Sequence, residues 1–570
     1  MSKIWKIKPK ISKESQNNFP EINPVVLQLL YNRGLSNQEA IDEFLNPDYS
    51  QDVHDPFLFQ DMQKAVDRIV KAVSSEKKIV VHGDYDADGV SASAVLVEVL
   101  RKLGIKQENL YIYIPHRNTE GYGLSEETVN NLVKSKTDLI ITADCGISNV
   151  NEVNLAQQKG IDVIITDHHT VPSELPKSFA IINPKVKSDK YPFAELSGVG
   201  VAFKLVQALR RHQKIEGGFE KWLLDLVALG TVADSVPLLG ENRTLVKYGL
   251  IVLNKTRRLG LRRLYSVARI ELGEINARSI SFQIAPRLNA AGRLEHANTA
   301  YQLLISEEKQ ATEDLANQLN NTNFQRQQIT DSLKKEAFNQ IGDKVEDLVI
   351  FVHGQDQRWQ PGIIGLIAGR VSDQYFRPAF VICQQDNLFI GSGRSIEQLD
   401  IMEVLADCRQ YLQKFGGHAQ ACGFTLEGEA NLEGFKKMAT EIINQKLQGQ
   451  DLRPQIEIES AIRLSDIDWD LFEELDNFSP FGEGNRQPIF LTKQVKLDQM
   501  EKVGADKRHL RLALSQGSKK FHKTIGFGMG DWADKLKLGD TVDVVYTVDV
   551  NEWNGNRELQ LKLIDIKPNG

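Results

Sequence analysis

The sequence predicts an α/β protein: a parallel sheet covered by helices on both faces, then a second, smaller α/β domain and an all-β C-terminal domain. Three observations carry this. The apolar run DLIIT at 138–142 returns almost letter for letter as DVIIT at 162–166, with a helical pattern between the two. Continuous apolar runs separated by helices mark a parallel sheet buried on both faces. A strand run (LVIFV, 348–352) and a Gly-rich helix start (PGIIGLIAG, 361–369) then open the pattern afresh. From about residue 456 apolar residues alternate with period two, as in a small antiparallel barrel or sandwich. At 570 residues the chain exceeds one hydrophobic core and should divide into about three or four domains.

In order along the chain, residues 1–55 carry two short helical patterns, 25–30 and 37–44, and read as an N-terminal arm. A helix at 65–73 feeds a strand at 78–82. The next helix, 91–103, has Ala94, Val95, Val99 and Leu100 on its apolar side. A short strand at 111–115 and a helix at 126–134 lead to the DLIIT and DVIIT strands. Residues 307–341 are helical, with Leu315/Leu319 and Ile329/Leu333 as an apolar stripe. Their middle, 320–328, is polar nearly all round, which predicts a helix bridging two domains across solvent. The second α/β domain continues through PAFVIC (378–383), a hairpin-like LFIGSGRS (388–395) and KFGGHAQACGF (414–424). In the last domain 509–514, 541–548 and Leu559-Leu561-Leu563 alternate, with a turn at Asn554-Gly555.

Composition removes several function classes. With 69 Lys and Arg against 76 Asp and Glu the net charge is −7, so this is not a generally basic nucleic-acid coat. Phosphate-polymer binding would have to come from local patches. Cys145, Cys383, Cys408 and Cys422 lie far apart with no CxxC pair, which argues against a zinc site or disulfide scaffold and fits a reducing cytosol. No apolar run approaches the ~18 residues of a membrane span. The first residues, MSKIWKIKPK, lack the apolar core of a signal peptide. The expected location is cytoplasmic.

Ligand sites in such sheets lie beyond the carboxyl ends of the strands, and there the acids and histidines gather. In residues 79–91 (IVVHGDYDADGVS) an apolar run leads to His82, and Asp84, Asp86 and Asp88 follow at every second position. Carboxylates that close repel one another unless a cation sits among them. The same letters open a calcium EF-hand loop, but position 12 counted from Asp84 is Val95 instead of Glu, and the preceding residues are strand-like. Further clusters are Asp144 in ITADCG, Asp167-His168-His169, and Asp234 in ALGTVADSVPL. Aligning DLIITADCG on DVIITDHH sets Asp144 on His168, and period-2 geometry sends both side chains to one side of the sheet edge. A mixed oxygen and nitrogen shell suits Mn²⁺, or Mg²⁺ where oxygens dominate. His82, Asp84, Asp86, Asp88, Asp144, Asp167, His168 and Asp234 offer more ligands than one cation uses. They suggest two cations about 3.5–4 Å apart, an arrangement suited to hydrolysing a phosphate ester. Each group alone has a plainer reading: a solvated acidic turn, a structural histidine, an N-cap.

DYDADG, the Asp of ITADCG, TDHH and the Asp of TVADSVPL are similar to the four motifs of the DHH phosphoesterase superfamily, and FGGHAQACGF resembles the glycine–histidine signature of the DHHA1 domain. More narrowly, IPHRNTEGYGLS (114–125), APRLNAAGRL (285–294), GSGRS (391–395) and SPFGEGN (479–485) resemble the RecJ family of bacterial single-strand-specific DNA exonucleases. The resemblance runs from about residue 78 to the C-terminus. It implies a DHH catalytic domain (56–305) after the arm (1–55), a connecting helix (306–342), a DHHA1 domain (343–450) and an OB-fold (451–570). Two Mn²⁺ or Mg²⁺ ions would be held by Asp86, Asp88, Asp144, His168 and Asp234. His82 and Asp84 would join that shell, with Asp167 and His169 as ligands or supports. Arg117, Tyr122, Arg287, Arg293, Ser392, Arg394 and Gly417 would grip substrate, and His418 would contact the scissile phosphate. Arginine forks suit phosphate, although a surface ion pair explains any one of them alone.

In the barrel, residues 507–523 hold six Lys or Arg and no acid, with Phe521 interleaved. That suits a groove tracking a single strand with an aromatic for stacking, and equally a solvated strand face. Trp553 would stack on a base or cover the barrel mouth. The chain departs from the family pattern at Gln360, where His is usual, at Ala285 for Gly and at Arg486 for Pro. The expected activity is 5′-to-3′ hydrolysis of single-stranded DNA to mononucleotides, in DNA repair and recombination, by a monomer. Family resemblance adds a single-strand-binding protein and a RecQ-type helicase as partners. Two rivals are a DHH–DHHA1 phosphodiesterase of very short oligonucleotides or cyclic dinucleotides, which lacks the bridging helix and barrel, and a scaffold relative that has lost its metals, against which the intact acids speak.

Overall fold

The computed structural model describes residues 3–569 apart from 118, 214, 216, 343, 344, 346, 355 and 554. The turn expected at Asn554 and the side chain of Trp553 lie outside the described residues. The chain forms two compact units, His54–Val236 with Tyr248–Arg453, and Met1–Val53 with Pro237–Lys247 and Pro454–Gly570. No described helix is long and apolar enough to cross a membrane.

In the larger unit five parallel strands lie in the order Leu110–Tyr113, Ile79–Gly83, Leu139–Ala143, Asp162–Thr166, Ala180–Ile182. The strand that comes first in sequence is second in space. The strand order therefore reverses beside it, and the crevice at its carboxyl end is where such a sheet opens to a ligand. Ile79–Gly83 and Leu139–Ala143 are buried at every position, as their continuous apolar runs require.

The following helix, Ala87–Lys102, starts four residues before the expected 91. The small residues of ADGVSAS show no apolar stripe, and the start is set by Asp86, whose carboxylate accepts from the amides of Asp88 (2.9 Å) and Gly89 (3.1 Å). Two helices that the sequence reading did not place, Gly198–Gln213 and Leu224–Ala233, pack against it. Both are buried along nearly their whole length, so neither shows an amphipathic stripe.

The second half of this unit is a mixed sheet in the order Lys414–His418, Ala421–Glu427, Leu388–Arg394, Ala379–Gln385, Ile350–His353, with only the last pair parallel. The long helix Lys309–Ile341 precedes it. Its polar middle is only partly solvated: Asn321, Gln325, Gln327 and Gln328 are exposed. Thr322 and Asn323 are buried, Thr322 donates to Glu295 (3.2 Å), and Asn320 accepts from Arg287 (3.0 Å). Asn320 and Thr322 thus pair with polar groups outside the helix.

The smaller unit is a closed barrel in which Phe490–Val503, His509–Gln516, Lys519–Gly526, Asn556–Pro568 and Thr541–Trp553 pair in turn and Phe490–Val503 closes on Thr541–Trp553. The N-terminal segment belongs to it: Ile4–Ile7 pairs in parallel with Gln455–Ile458, and Leu27, Leu30, Ile41 and Phe44 join the barrel's apolar core. Phe521 is 5% exposed and part of that core, so it offers no stacking face; the exposed aromatic nearby is Phe527. Several cations of the basic stretch are paired, Arg511 with Glu501 and Lys523 with Glu558 (2.7 Å).

Candidate metal centre

The sheet delivers the acids by extending its ladder one residue past each strand. The amide of Asp84 donates to the carbonyl of Ala143 (3.1 Å), that of Asp144 to Thr166 (3.0 Å) and that of Asp167 to Ile182 (3.1 Å). Asp144 does not continue in strand geometry as expected; it adopts a left-handed φ of 64°. That conformation is uncommon outside glycine and carries strain of the kind found at functional sites. Its carboxylate still meets His168: His168 Nε2 lies 3.3 Å from Asp144 Oδ1 and 3.5 Å from Asp234 Oδ2. Asp234 closes the helix Leu224–Ala233, and Ser235 after it is also left-handed (φ 62°). A carboxylate at the negative end of a helix dipole is disfavoured without a compensating cation.

Three groups of donor atoms converge here: Asp84, Asp86 and Asp144; Asp144, His168 and His169; and Asp88, His168 and Asp234. Asp144 and His168 each belong to two groups, so the set forms one continuous bowl. Asp84 Oδ1, Asp144 Oδ1 and both ring nitrogens of His168 are buried without a hydrogen-bond partner among the described residues. Buried polar atoms are rarely left so, and a divalent cation fits these donors in both charge and atom type. Asp88 also accepts from the amides of Gly198 (2.7 Å) and Val199 (2.9 Å), which anchors it to the head of the helix Gly198–Gln213.

Electrostatics say the same. Burial, reinforced by the neighbouring acids, raises the carboxyls of Asp84 and Asp144 well above the ordinary range and lifts Asp88 to about 7 and Asp234 to about 9. Burial, then the charge of His169, lowers His168 to about 3, so its imidazole is neutral and free to ligate. Burial would also lower His169, but its hydrogen bond to Asp167 (2.8 Å) and that carboxylate's charge raise it to about 9.

Two of the expected ligands stand outside the three groups. Asp167 is committed: its oxygens accept from the amides of Ile147 (2.9 Å), His168 (2.7 Å) and His169 (3.0 Å) as well as from the His169 ring. It positions the two histidines. His82 is fully buried, with Nδ1 3.7 Å from Cys145 Sγ and Nε2 without a partner among the described residues, and burial lowers it to about 4.

Of the expected substrate groups, Tyr122 is the most constrained. Its hydroxyl donates to the carbonyl of Asp144 (3.1 Å) and lies 3.0 Å from His169 Nδ1, so it braces the ligand loop. Arg117 stacks over Tyr85 (4.8 Å), and Arg293 donates to the carbonyl of Gly362 (3.0 Å). Arg287 is tied to Asn320 and to the carbonyl of Gln283 (2.6 Å). A Cβ on Gly365 would stand 3.1 Å from Ser392 Oγ and 3.5 Å from Arg394, so the absence of a side chain there lets the pair sit against the helix Pro361–Tyr375. Gly417 (φ 143°) has no room for a side chain beside the carbonyl of Ala421, 2.2 Å from an added Cβ. His418 faces His169 with near-parallel rings 6.5 Å apart. The departures are quiet: Ala285 is buried at a helix start, Gln360 caps the helix Pro361–Tyr375 without a side-chain bond, and Arg486 pairs with Glu483 (3.2 Å).

Sequence reasoning missed Arg326 and Arg370. Burial, then the charges of Arg370 and Arg287, lowers Arg326, whose Nε is buried without a partner among the described residues. Burial, then Arg117 and Arg326, lowers Arg293 to about 9. Arg326 sits in the polar stretch 320–328, where the sequence predicts a solvent bridge and so hides a half-buried cation.

Against known proteins, residues 78–231 match the DHH family N-terminal domain, 346–445 the DHHA1 domain and 458–565 the RecJ OB domain. The single-stranded-DNA-specific exonuclease RecJ of Bacillus subtilis is 38% identical over 95% of this chain and 68% of its own. Its Escherichia coli counterpart is 32% identical over 96% of each. The chain belongs to the RecJ family. A crystal structure of Thermus thermophilus RecJ in complex with Mn²⁺ superposes with a TM-score of 0.83 at 27% identity, covering 99% of this chain and 79% of that one. A Mg²⁺ complex of the same RecJ gives 0.78.

Proposed function

We propose that this chain is a divalent-cation-dependent exonuclease that degrades single-stranded DNA from its 5′ end to mononucleotides. The observation that carries it is the bowl of donors sharing Asp144 and His168, with His418 stacked against His169 at its edge. Asp84, Asp86, Asp88, Asp144, His168 and Asp234 would hold two Mn²⁺ or Mg²⁺ ions. When bound, these ions lower the pKa of water and offset developing phosphoryl charge.

The chain's own residues do the rest. Asp167 holds the His168 amide and the His169 ring and keeps His169 cationic, while burial and the charge of His169 keep His168 neutral toward the bowl. His169 and His418 then stand together at the rim, where a cation and a neutral imidazole donor can meet phosphate oxygens. Arg117, Ser392 and Arg394 bind the terminal phosphate, and Arg293 and Arg287 hold the strand that follows. Catalysis belongs to residues 56–305 and 343–450 joined by the helix, and the barrel guides the strand. The enzyme works as a cytoplasmic monomer in DNA repair and recombination. A single-strand-binding protein and a RecQ-type helicase, which expose and present single strands, are its partners.

Time-resolved digestion of 5′- and 3′-labelled strands with Mn²⁺ or Mg²⁺ tests the reading. Label should leave the 5′ end first as mononucleotide, and Asp86→Ala or Asp144→Ala should abolish release while the fold persists. Cleavage of di- and trinucleotides with long strands untouched would overturn it.

A further inference from the structure

The helix Ala87–Lys102 carries the metal-site acids at its head, and its tail opens on a separate cavity of about 550 Å³. Arg101, Lys102, Phe219, Trp222, Arg257 and Arg258 line it. Counting along the helix, Glu98 in its wall is about 18 Å from Asp86, so this is not the metal bowl.

The cavity has a floor and a rim of different character. Arg258 makes the floor. It pairs with Glu98, its Nε reaches both oxygens of Asp225 (3.0 and 3.1 Å), and its Nη1 donates to the carbonyl of Leu304 (3.2 Å). Thr256 holds the same Asp225 (2.9 Å). This half-buried network is satisfied within itself. The rim is not: Arg101, Lys102 and Arg257 are exposed, none of them is in an ion pair among the described residues, and they outnumber the one exposed acid of the lining, Glu307. The Arg257 guanidinium lies 3.7 Å from the ring centroid of Trp222, which is 39% exposed, and Lys102 stands over Phe219 at 5.6 Å.

We propose that this cavity is a second ligand site, for a nucleoside 5′-phosphate. Three unpaired cations at the rim suit the phosphate. The stacked guanidinium and indole, with Phe219 beside them, give flat faces on which a base stacks. The volume lies within the range of small-molecule sites and exceeds what a bare phosphate needs. Its place also links it to catalysis. Glu98 lies on the helix headed by Asp86 and Asp88, and Asp225 begins the helix that ends at Asp234. Arg258 clamps the far ends of both, so a ligand that moves this clamp shifts two walls of the metal bowl together. Occupancy and metal affinity are then reciprocally coupled.

The test uses the full chain with Mg²⁺ and follows tryptophan emission during titration with dAMP, inorganic phosphate, or a 5′-phosphorylated tetranucleotide. We expect saturable quenching by dAMP that is mostly lost in Trp222→Phe. Half-saturation should move at least tenfold in Arg101→Ala/Arg257→Ala, and inorganic phosphate should bind at least tenfold more weakly. The tetranucleotide arm separates a free nucleotide from a strand end: comparable quenching assigns the site to strand ends, weaker quenching to the free nucleotide. Exonuclease turnover of the double variant without added dAMP should stay within twofold of wild type, so loss of binding and loss of catalysis are read separately. Quenching that survives in both variants, no quenching by any ligand, or equal affinity for phosphate and dAMP overturns the proposal.

Discussion

Gly198 and Asp144 are packed so closely that a Cβ on the glycine would stand 2.2 Å from the Oδ1 of the aspartate and 2.4 Å from its Cγ. The backbone of the helix Gly198–Gln213 thus forms the back wall of the metal bowl, while its first amides hold Asp88. Gly230 plays the same part from the helix Leu224–Ala233, where a Cβ would stand 2.5 Å from Asp88 Oδ1. Gly198→Ala should therefore displace a ligand without removing one. We expect Mg²⁺ affinity to fall about 10- to 100-fold, the usual scale for a disturbed ligand support, with far-UV circular dichroism unchanged. A variant that titrates with Mg²⁺ like the wild type would show that Asp144 does not ligate.

Metal binding should depend on pH in a definite direction. Burial and mutual repulsion raise Asp88 to about 7 and Asp234 to about 9 from an ordinary 3.8. Between about pH 4 and pH 9 the folded, metal-free protein therefore holds protons that the unfolded chain has lost, and its stability falls as pH rises. A cation displaces those protons, so its affinity rises over the same window. The thermal shift on adding Mg²⁺ should be larger at pH 8 than at pH 6, and calorimetry should detect proton release at both. A shift that is flat between these values would count against the assignment of Asp88 and Asp234.

Asp167 is expected to act through His169 and not as a ligand. Its carboxylate holds the His169 imidazole cationic up to about pH 9 against the burial that would lower it. The stability this pair adds is fully present below the free imidazole value of about 6.5 and is lost as pH rises through about 9. Asp167→Asn should cut turnover by about 10- to 100-fold and bring the alkaline fall of activity down by at least one pH unit. Mg²⁺ affinity should change less than in Asp144→Ala. An equal loss of affinity in both would make Asp167 a ligand after all.

Much of this was legible in the sequence, for identifiable reasons. DLIIT and DVIIT announce buried parallel strands because their apolar runs are unbroken, and the clustered acids point to a cation because carboxylates that close repel one another unless a cation or a proton sits among them. What stayed hidden was whatever has no periodicity or depends on three dimensions. Gly198–Gln213 and Leu224–Ala233 are apolar on every side and so show no stripe. The left-handed turn at Asp144, the committed oxygens of Asp167 and the burial of Phe521 follow from neighbours distant in sequence. The N-terminal arm read as an isolated piece because its partners, the barrel residues, lie more than four hundred positions away.

Arg326 should mark the path of the strand beyond the reacting nucleotide. Its Nε is buried without a partner among the described residues, and burial, then the charges of Arg370 and Arg287, lowers its pKa. Arg326→Ala should raise KM for long single strands several-fold with a smaller change in kcat, and should lower the slope of log KM against log salt by about 0.7, the value for one lost phosphate contact on a single strand. An unchanged salt slope would place the strand elsewhere.

Arg243 tests how the smaller unit is held together. Its guanidinium donates to four backbone carbonyls, those of Phe44 (2.9 Å), Phe478 (2.8 Å), Asn477 (2.7 Å) and Ser479 (3.0 Å), and lies 4.0 Å from the ring centroid of Phe44. It fastens the N-terminal helices to the loop that carries SPFGEGN. Burial, then the charge of Arg33, lowers it to about 9, a sign that the site is costly for a cation. Arg243→Met removes the charge along with the bonds and leaves carbonyls unpaired, for a loss of about 2–4 kcal/mol. Arg243→Lys keeps a buried charge but has no planar fork to reach four acceptors, so it should be the more destabilising of the two. Urea unfolding of both variants decides this. If lysine proves milder than methionine, charge outweighs geometry at this position, and the fork is not what holds the arm to the barrel.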